Sequence, residues 1–279
     1  MIKVENLCRN FGEIKAVKNI SFSVKKGEIL GFIGPNGAGK STTMRMITGY
    51  LSPSSGLVEI EGLSLAENES HCKKMIGYLP ESAPMYGDMT VAAFLDFCCD
   101  IRGMKRRDRR DAVAKVIKDC FLEKVKYQTI NTLSKGFRQR TCFAQSILHN
   151  PPILILDEPT DGLDPNQKYE IRKVIRNFGK DKIIILSTHI LEEVESLCSR
   201  VILISQGEIK ADESLADFKG RGKLLSDTFR ELTVGNPRPE KSEKSVKLAD
   251  GIIPDAVAVD QADKSVEAAE VLTLPKGDS

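Results

Sequence analysis

The stretch EILGFIGPNGAGKST, residues 28 to 42, constrains this chain more than any other. An apolar strand pattern runs straight into a glycine-rich turn, and helix-compatible residues follow from Lys40. Residues Gly34 to Ser41 fit the spacing G-x-x-x-x-G-K-[ST]. In that spacing the backbone through Gly34, Pro35, Asn36, Gly37, Ala38 and Gly39 curls so that successive N–H groups face a polyphosphate. Lys40 then reaches the outer phosphates, Ser41 offers a hydroxyl to Mg²⁺, and Thr42 completes the loop-to-helix junction. Such a loop needs a strand before it and a helix after it, and the flanking pattern supplies both.

The rest of the chain repeats that alternation. Short β-branched runs (VKNISFSV, MIGYL, ILILD, IIILST, VILIS) are separated by helix-like periodicity, which argues for an α/β domain with a mostly parallel sheet. Helical patterning dominates from Thr90 and predicts an inserted helical subdomain over about 90–150. VILIS and EIKAD predict a hairpin turning at Gln206-Gly207. The domain is expected to span 1–220, with 221–279 as a C-terminal extension. Beyond about 234 the pattern fails, and a flexible tail is expected there.

Composition limits the classes of function. The chain has 279 residues, 41% hydrophobic and 29% charged, as expected of a soluble globular protein. Its 41 basic and 39 acidic residues are too balanced to suggest a nucleic-acid partner. The longest apolar runs are far short of the roughly 20 residues needed to cross a bilayer, and the N-terminus lacks a signal-peptide pattern, so a cytosolic location is expected. Seven scattered cysteines without C-x-x-C pairs read as reduced packing residues rather than a metal site.

In ILILDEPT, four apolar residues end in Asp157 and Glu158, placing two carboxylates at the C-terminal end of a buried strand. Asp157 would help hold Mg²⁺, and Glu158 would polarise the attacking water. Alone, a solvated acidic turn would fit as well; beside the phosphate loop the site reading prevails. His189 follows the strand IIILST, where a polar cap is the commoner role; His71 and His149 have no such context. TLSKGFRQRT, residues 132 to 141, puts Ser134 and Gly136 at a helix start, with free N–H groups and a positive dipole end suited to an anion. The basic cluster Arg102, Lys105, Arg106, Arg107, Arg109 and Arg110 reads as a solvated helix start with Asp108 and Asp111 as partners, ahead of a lipid- or permease-facing role. Arg172, Lys173 and Arg176 read as a solvated helix face.

Together these motifs resemble the ATP-binding cassette (ABC) family, the nucleotide-binding subunits of ABC transporters, over roughly residues 1 to 220. The landmarks stand in order: Phe11, GPNGAGKS, YLPE, LSKGFRQR, ILILDE, GLD and STH. The resemblance implies a P-loop NTPase core with an N-terminal antiparallel β portion and the inserted helical subdomain, binding ATP and Mg²⁺. It implies adenine stacking by Phe11 and γ-phosphate sensing by His189. Ser134 and Gly136 would contact the ATP of a second subunit, a homodimer being expected, and Asp164 of Gly162-Leu163-Asp164 would lie at the same interface. Two departures stand out. Lys135 and Phe137 replace the usual third and fifth residues of Leu-Ser-Gly-Gly-Gln, and Glu81 stands where most members carry Gln. Glu81 would add charge beside Mg²⁺, since a carboxylate accepts hydrogen bonds but donates none. These variants are similar to the subfamily serving bacterial ABC-2 type exporters, including drug-efflux and gliding-associated members, so export is expected.

The expected partner is an integral membrane permease, with the chain peripheral on the cytoplasmic face of the inner membrane. The rival is a soluble ABC-type ATPase acting in translation or DNA maintenance. DNA-maintenance members place a long coiled coil between phosphate loop and signature, which the interval Ser41 to Leu133 lacks. Translation-associated members carry two cassettes in one chain.

Overall fold

A computed structural model describes residues 1–82, 84–220 and 225–234. The tail expected to be flexible beyond about 234 lies outside the described residues. The chain opens with β1 (Ile2–Phe11) and β2 (Ile14–Val24), then β3 (Ile29–Ile33) and α1 (Lys40–Ile47). Strands β4 (Ser55–Ile60) and β5 (Leu63–Ser64) precede α2 (Glu69–Met75) and β6 (Ile76–Leu79). Helices α3 (Val91–Ile101), α4 (Arg106–Asp119) and α5 (Lys135–Ile147) follow. The chain then runs through β7 (Ile153–Asp157), α6 (Pro165–Phe178), β8 (Ile183–Thr188), α7 (Leu191–Leu197), β9 (Arg200–Ser205) and β10 (Glu208–Ser214). Helices α8 (Leu215–Gly220) and α9 (Leu225–Val234) close the described part.

Two sheets result. The first, ordered β2-β1-β4-β5, is antiparallel throughout. The second, ordered β10-β9-β3-β8-β7-β6, is parallel except for the β9–β10 hairpin, whose turn residues Gln206 and Gly207 both have positive φ as a two-residue hairpin turn requires. The α/β fold with a mostly parallel sheet is thus what the sequence pattern predicts, and the antiparallel N-terminal portion is what the resemblance implies.

The continuous apolar runs follow from burial on both faces of the second sheet. Along β7, Leu154 and Leu156 join one apolar cluster while Ile153 and Ile155 join another; β8 divides its residues likewise, Ile184 and Leu186 against Ile183 and Ile185. The first cluster is completed by Leu95 of α3, Ile117 of α4, Phe143 of α5, Ile175 of α6 and Val194 of α7. The second is completed by Met44 of α1 and by Val4 and Ile20 of the antiparallel sheet. Each such side chain stabilises the fold by about 1.5–3 kcal/mol relative to exposure, so a polar substitution at any of these apolar positions of β7 or β8 would be costly. The cysteines behave as packing residues: all seven are free, and all but the half-buried Cys8 are buried.

Two sequence expectations need correction. The charges of α6 do not form a simple solvated face. Arg172 pairs with Glu192 at 2.7 Å and approaches Glu193 at 3.9 Å, while Arg176 donates to the Ser196 carbonyl at 2.7 Å, so α6 is tied to α7. The helical period finds one face of α6 but cannot show that another helix covers it. In the basic cluster, Arg107 does pair with Asp108, but Arg109 pairs with Asp100 and donates to the Met104 carbonyl. Arg102 is half-buried against the His149 ring at 2.9 Å. These partners come from the preceding helix, the loop after it and the turn that follows α5, which local spacing does not reveal.

Candidate active site

The centre is built by three adjacent strands ending at one level. In the order β3-β8-β7, Ile33 pairs with Thr188, and Ser187 pairs with Asp157. The segments leaving them carry the glycine loop, His189 and Glu158, so three stretches remote in sequence meet at the carboxyl ends of parallel strands. The loop backbone needs its glycines at two points. Gly39 has φ of 109°, and a Cβ there would lie 2.7 Å from the Ala16 carbonyl; a Cβ at Gly34 would lie 2.2 Å from the Ile204 carbonyl. Lys40 folds back over the loop, its Nζ donating to the carbonyls of Gly34 at 2.8 Å and Pro35 at 3.2 Å. Burial pushes its ammonium below the usual range, and Glu158, Asp157 and Glu81 pull it back up. A cation held among those carboxylates is poised for an anionic ligand.

Asp157 is 1% exposed. Its Oδ1 accepts from the Ser187 hydroxyl, while the equally buried Oδ2 has no protein partner. An unpaired buried carboxylate oxygen is costly and favours a nearby cation. Asp157, the Ser41 hydroxyl and Glu81 therefore fit Mg²⁺, which characteristically takes one or two carboxylates and completes its shell with phosphate and water oxygens.

Glu158 sits in the left-handed region, with φ of 51°. Its N–H donates to the Ser187 carbonyl at 3.1 Å and shares the Ser187 hydroxyl at 3.3 Å. Its own carbonyl accepts from Gln139 Nε2 of α5 at 3.3 Å, and its Oε1 lies 3.0 Å from His189 Nδ1. Such a conformation costs on the order of 1 kcal/mol and persists only where the surroundings enforce it; here β8 and α5 do so. The carboxylate is thereby aimed at a cleft of about 430 Å³ lined by Asn36, Gly37, Gly39, Lys40, Ser41, Thr42, Glu81 and Glu158, together with Ala16.

The remaining sequence candidates lie elsewhere. Phe11, 45% exposed at the end of β1, is covered on one side by the Arg9 guanidinium 4.7 Å from its ring centre and is not among the cleft-lining residues. Ser134 caps α5, its hydroxyl accepting from Phe137 N at 3.4 Å, and Asp164 caps α6, accepting from Gln167 N at 2.9 Å. These two helix starts lean on each other: Lys135 pairs with Asp161 at 2.7 Å, and a Cβ on Gly136 would lie 2.6 Å from Gln167 Oε1. Ser134, Gly136 and Asp164 thus form a second group that does not line the cleft of their own chain.

Sequence reading missed Ser187, Gln139, Thr160, Thr188 and Glu193. The one available signal was a Ser-Thr pair ending an otherwise apolar strand. A further groove of about 870 Å³ lies between α2, β6, α3 and α5, lined by Tyr50, Lys73, Tyr78, Ile101, Arg102 and His149 among others.

A glycine loop on a parallel sheet, opposed by an acidic pair and a histidine on neighbouring strands, defines a P-loop nucleoside triphosphatase. Residues 17–161 match the family described as ABC transporter, and the chain belongs to that family. It is 35% identical over 219 residues to the uncharacterized ABC transporter ATP-binding protein YxlF of Bacillus subtilis, covering 78% of this chain and 72% of that one. It is also 35% identical to the linearmycin resistance ATP-binding protein LnrL of the same organism, covering 84% and 75%. Among solved structures, an ATP-binding subunit of an ABC transporter superposes with a TM-score of 0.77 at 28% identity, covering 83% of this chain and 99% of that one. The dimeric post-hydrolysis state of the ATP-binding cassette MJ0796, bound to ADP and Pi, gives 0.72 at 26% identity, covering 77% and 99%.

Proposed function

We propose that the chain is the ATP-hydrolysing subunit of an exporter: it dimerises around two ATP molecules and drives a separate membrane-spanning permease from the cytoplasmic face. In this reading residues 1–220 are the ATPase unit and 221–279 an extension to it. The observation that carries it is the convergence of Lys40, Asp157, Glu158 and His189 at three adjacent strand ends. The glycine loop and Lys40 hold the phosphates, and Ser41, Asp157 and Glu81 would hold Mg²⁺. The ion neutralises phosphate charge when bound. Glu158 takes the proton of the attacking water as its oxygen bonds to the γ-phosphorus, the bond to ADP breaks, and phosphate leaves. In this reading His189 donates to the γ-phosphate, a role supported by its 3.0 Å contact with Glu158 Oε1.

Among the described residues no helix is long and apolar enough to cross a membrane; in this reading the membrane-spanning part is the separate permease. The groove between α2 and α3 supports docking of that permease, because Tyr50 and Ile101 expose apolar surface beside Lys73, Lys74 and Arg102. Glu81 stands two residues beyond β6 and lines the cleft, which supports a role for it in linking partner and nucleotide. The drug-resistance name of LnrL supports export.

Glu158→Gln is the test. ATP binding should persist while turnover falls by about 10²–10⁴-fold, the usual worth of a general base. Wild-type-like hydrolysis in the purified variant would refute the assignment.

A further inference from the structure

Behind the Glu158–His189 pair lies a buried carboxylate that the hydrolytic reading does not use. Glu193, in the first turn of α7, is 1% exposed. Its Oε2 accepts from the Thr188 hydroxyl at 2.8 Å, and its Oε1 accepts from the Thr160 hydroxyl. Both threonines are buried, at 0% and 1% exposure. Thr188 Oγ1 already accepts the Ile190 N–H at 3.0 Å, which leaves its single proton for Glu193. Arg172 of α6, itself held by Glu192, approaches Oε1 at 3.9 Å from the other side.

The placement of the two threonines gives this network its meaning. Thr188 immediately precedes His189, and Thr160 follows Glu158 by two residues. One carboxylate therefore grips both segments that present the reacting pair, while the pair closes the ring in front through the 3.0 Å contact between His189 Nδ1 and Glu158 Oε1. Side chains that touch substrate hold productive geometry only when their supports are fixed, and a shift of about 1 Å costs on the order of a hundredfold in rate.

We infer that Glu193 is a positioning residue for hydrolysis, setting the relative placement of Glu158 and His189 through Thr160 and Thr188. This rests on the reading of Glu158 and His189 as the reacting pair. An amide in its place cannot serve equally. One of its ends carries N–H donors, which would face either the Thr188 proton or the Arg172 guanidinium.

In the purified full chain, Glu193→Gln should lower kcat for ATP about tenfold to a hundredfold, with KM changed less than about twofold because Lys40 and the glycine loop are untouched. Thr160→Ser, which keeps the hydroxyl, should retain near-wild-type kcat, whereas the near-isosteric Thr160→Val should reproduce the Glu193→Gln loss. The double variant should fall no further than the lower single, since both remove one link. Histidine-selective NMR gives a readout independent of turnover, the chain having three histidines. The His189 ring resonance, assigned by its loss in His189→Gln, should move in Glu193→Gln while that of His71 stays. An unmoved His189 signal, a raised KM at unchanged kcat, or multiplying losses in the double variant would each overturn the assignment. Should Glu158→Gln remain active, the general-base reading fails on its own, and the His189 resonance still decides the role of Glu193. If Glu193→Gln does not fold, the Thr160→Ser and Thr160→Val pair carries the same comparison.

Discussion

At the scale of single residues, Ser187 holds the acidic pair together. Fully buried, its hydroxyl donates to Asp157 Oδ1 and shares the Glu158 N–H, so one side chain holds the carboxylate of one acidic residue and the backbone of the next. Hydrogen bonds to charged groups contribute about 1.5–3 kcal/mol. Ser187→Ala should therefore lose about that much stability in urea titrations, alongside weakened Mg²⁺-dependent nucleotide binding; an unchanged unfolding midpoint would remove the role. That Lys40 and Asp157 belong to one neighbourhood was legible in the sequence because contiguous spacing marks it, a glycine loop after one strand and a carboxylate pair after another. Ser187 was not, because its partner lies on a neighbouring strand and nothing local distinguishes it from any hydroxyl at a strand end. Glu193 was hidden for the same reason: only the folded chain brings Thr160 within reach of α7.

At the scale of elements, the order of strands and helices was readable, since burial on both faces writes continuous apolar runs along the strands and a 3.6-residue period along the helices. Contacts between helices were not readable, as the misread Arg172 and Arg176 show. The packing of α5 against α3 carries a pH signature. His149, in the turn after α5, is pushed down to about 4 by burial, with Arg102 and Lys182 adding to the effect and the Ile76 backbone opposing it. Its folded value lies below the unfolded one of about 6.5, so the unfolded state binds more protons between those values, and stability falls as pH drops through that window. The loss at pH 5 relative to pH 7 should be about 2 kcal/mol. Other groups titrate over the same range, so the check is a comparison of urea midpoints at the two pH values. His149→Asn should show a smaller drop than the wild type, and equal drops would exclude the histidine.

At the scale of the whole molecule, the site residues other than Phe11 fall into two groups. One gathers around the cleft at the ends of β3, β7 and β8; the other, Ser134, Gly136 and Asp164, stands at the starts of α5 and α6. If the second group serves the ATP of a partner copy, lesions in the two groups should complement. Ser134→Arg and Lys40→Ala chains, each inactive alone, should regain hydrolysis on mixing, because a mixed dimer gathers both lesions in one composite site and leaves the other intact. Recovery is read as activity above the sum of the parents, and its absence despite demonstrated mixed dimers, with no ATP trapped at a single site, would count against the shared arrangement. Gln139 gives such a dimer a mechanical link, since it begins in the helix that Ser134 caps and ends on the Glu158 carbonyl.

The seven thiols have a consequence of another kind. Burial holds Cys120, Cys142 and Cys198 far from the thiolate form, raises Cys98 and Cys99 to about 11, and moves Cys72 in the same direction. Cys8 alone is half-buried, in the antiparallel sheet. Electrophiles react with thiolates, so the six buried thiols react slowly until the structure around them parts. Cys98 and Cys99 lie on α3, Cys120 beyond the end of α4, Cys142 on α5 and Cys198 beyond α7. The order in which alkyl groups accumulate would therefore chart which layer of the molecule breathes first, with no label introduced by mutation.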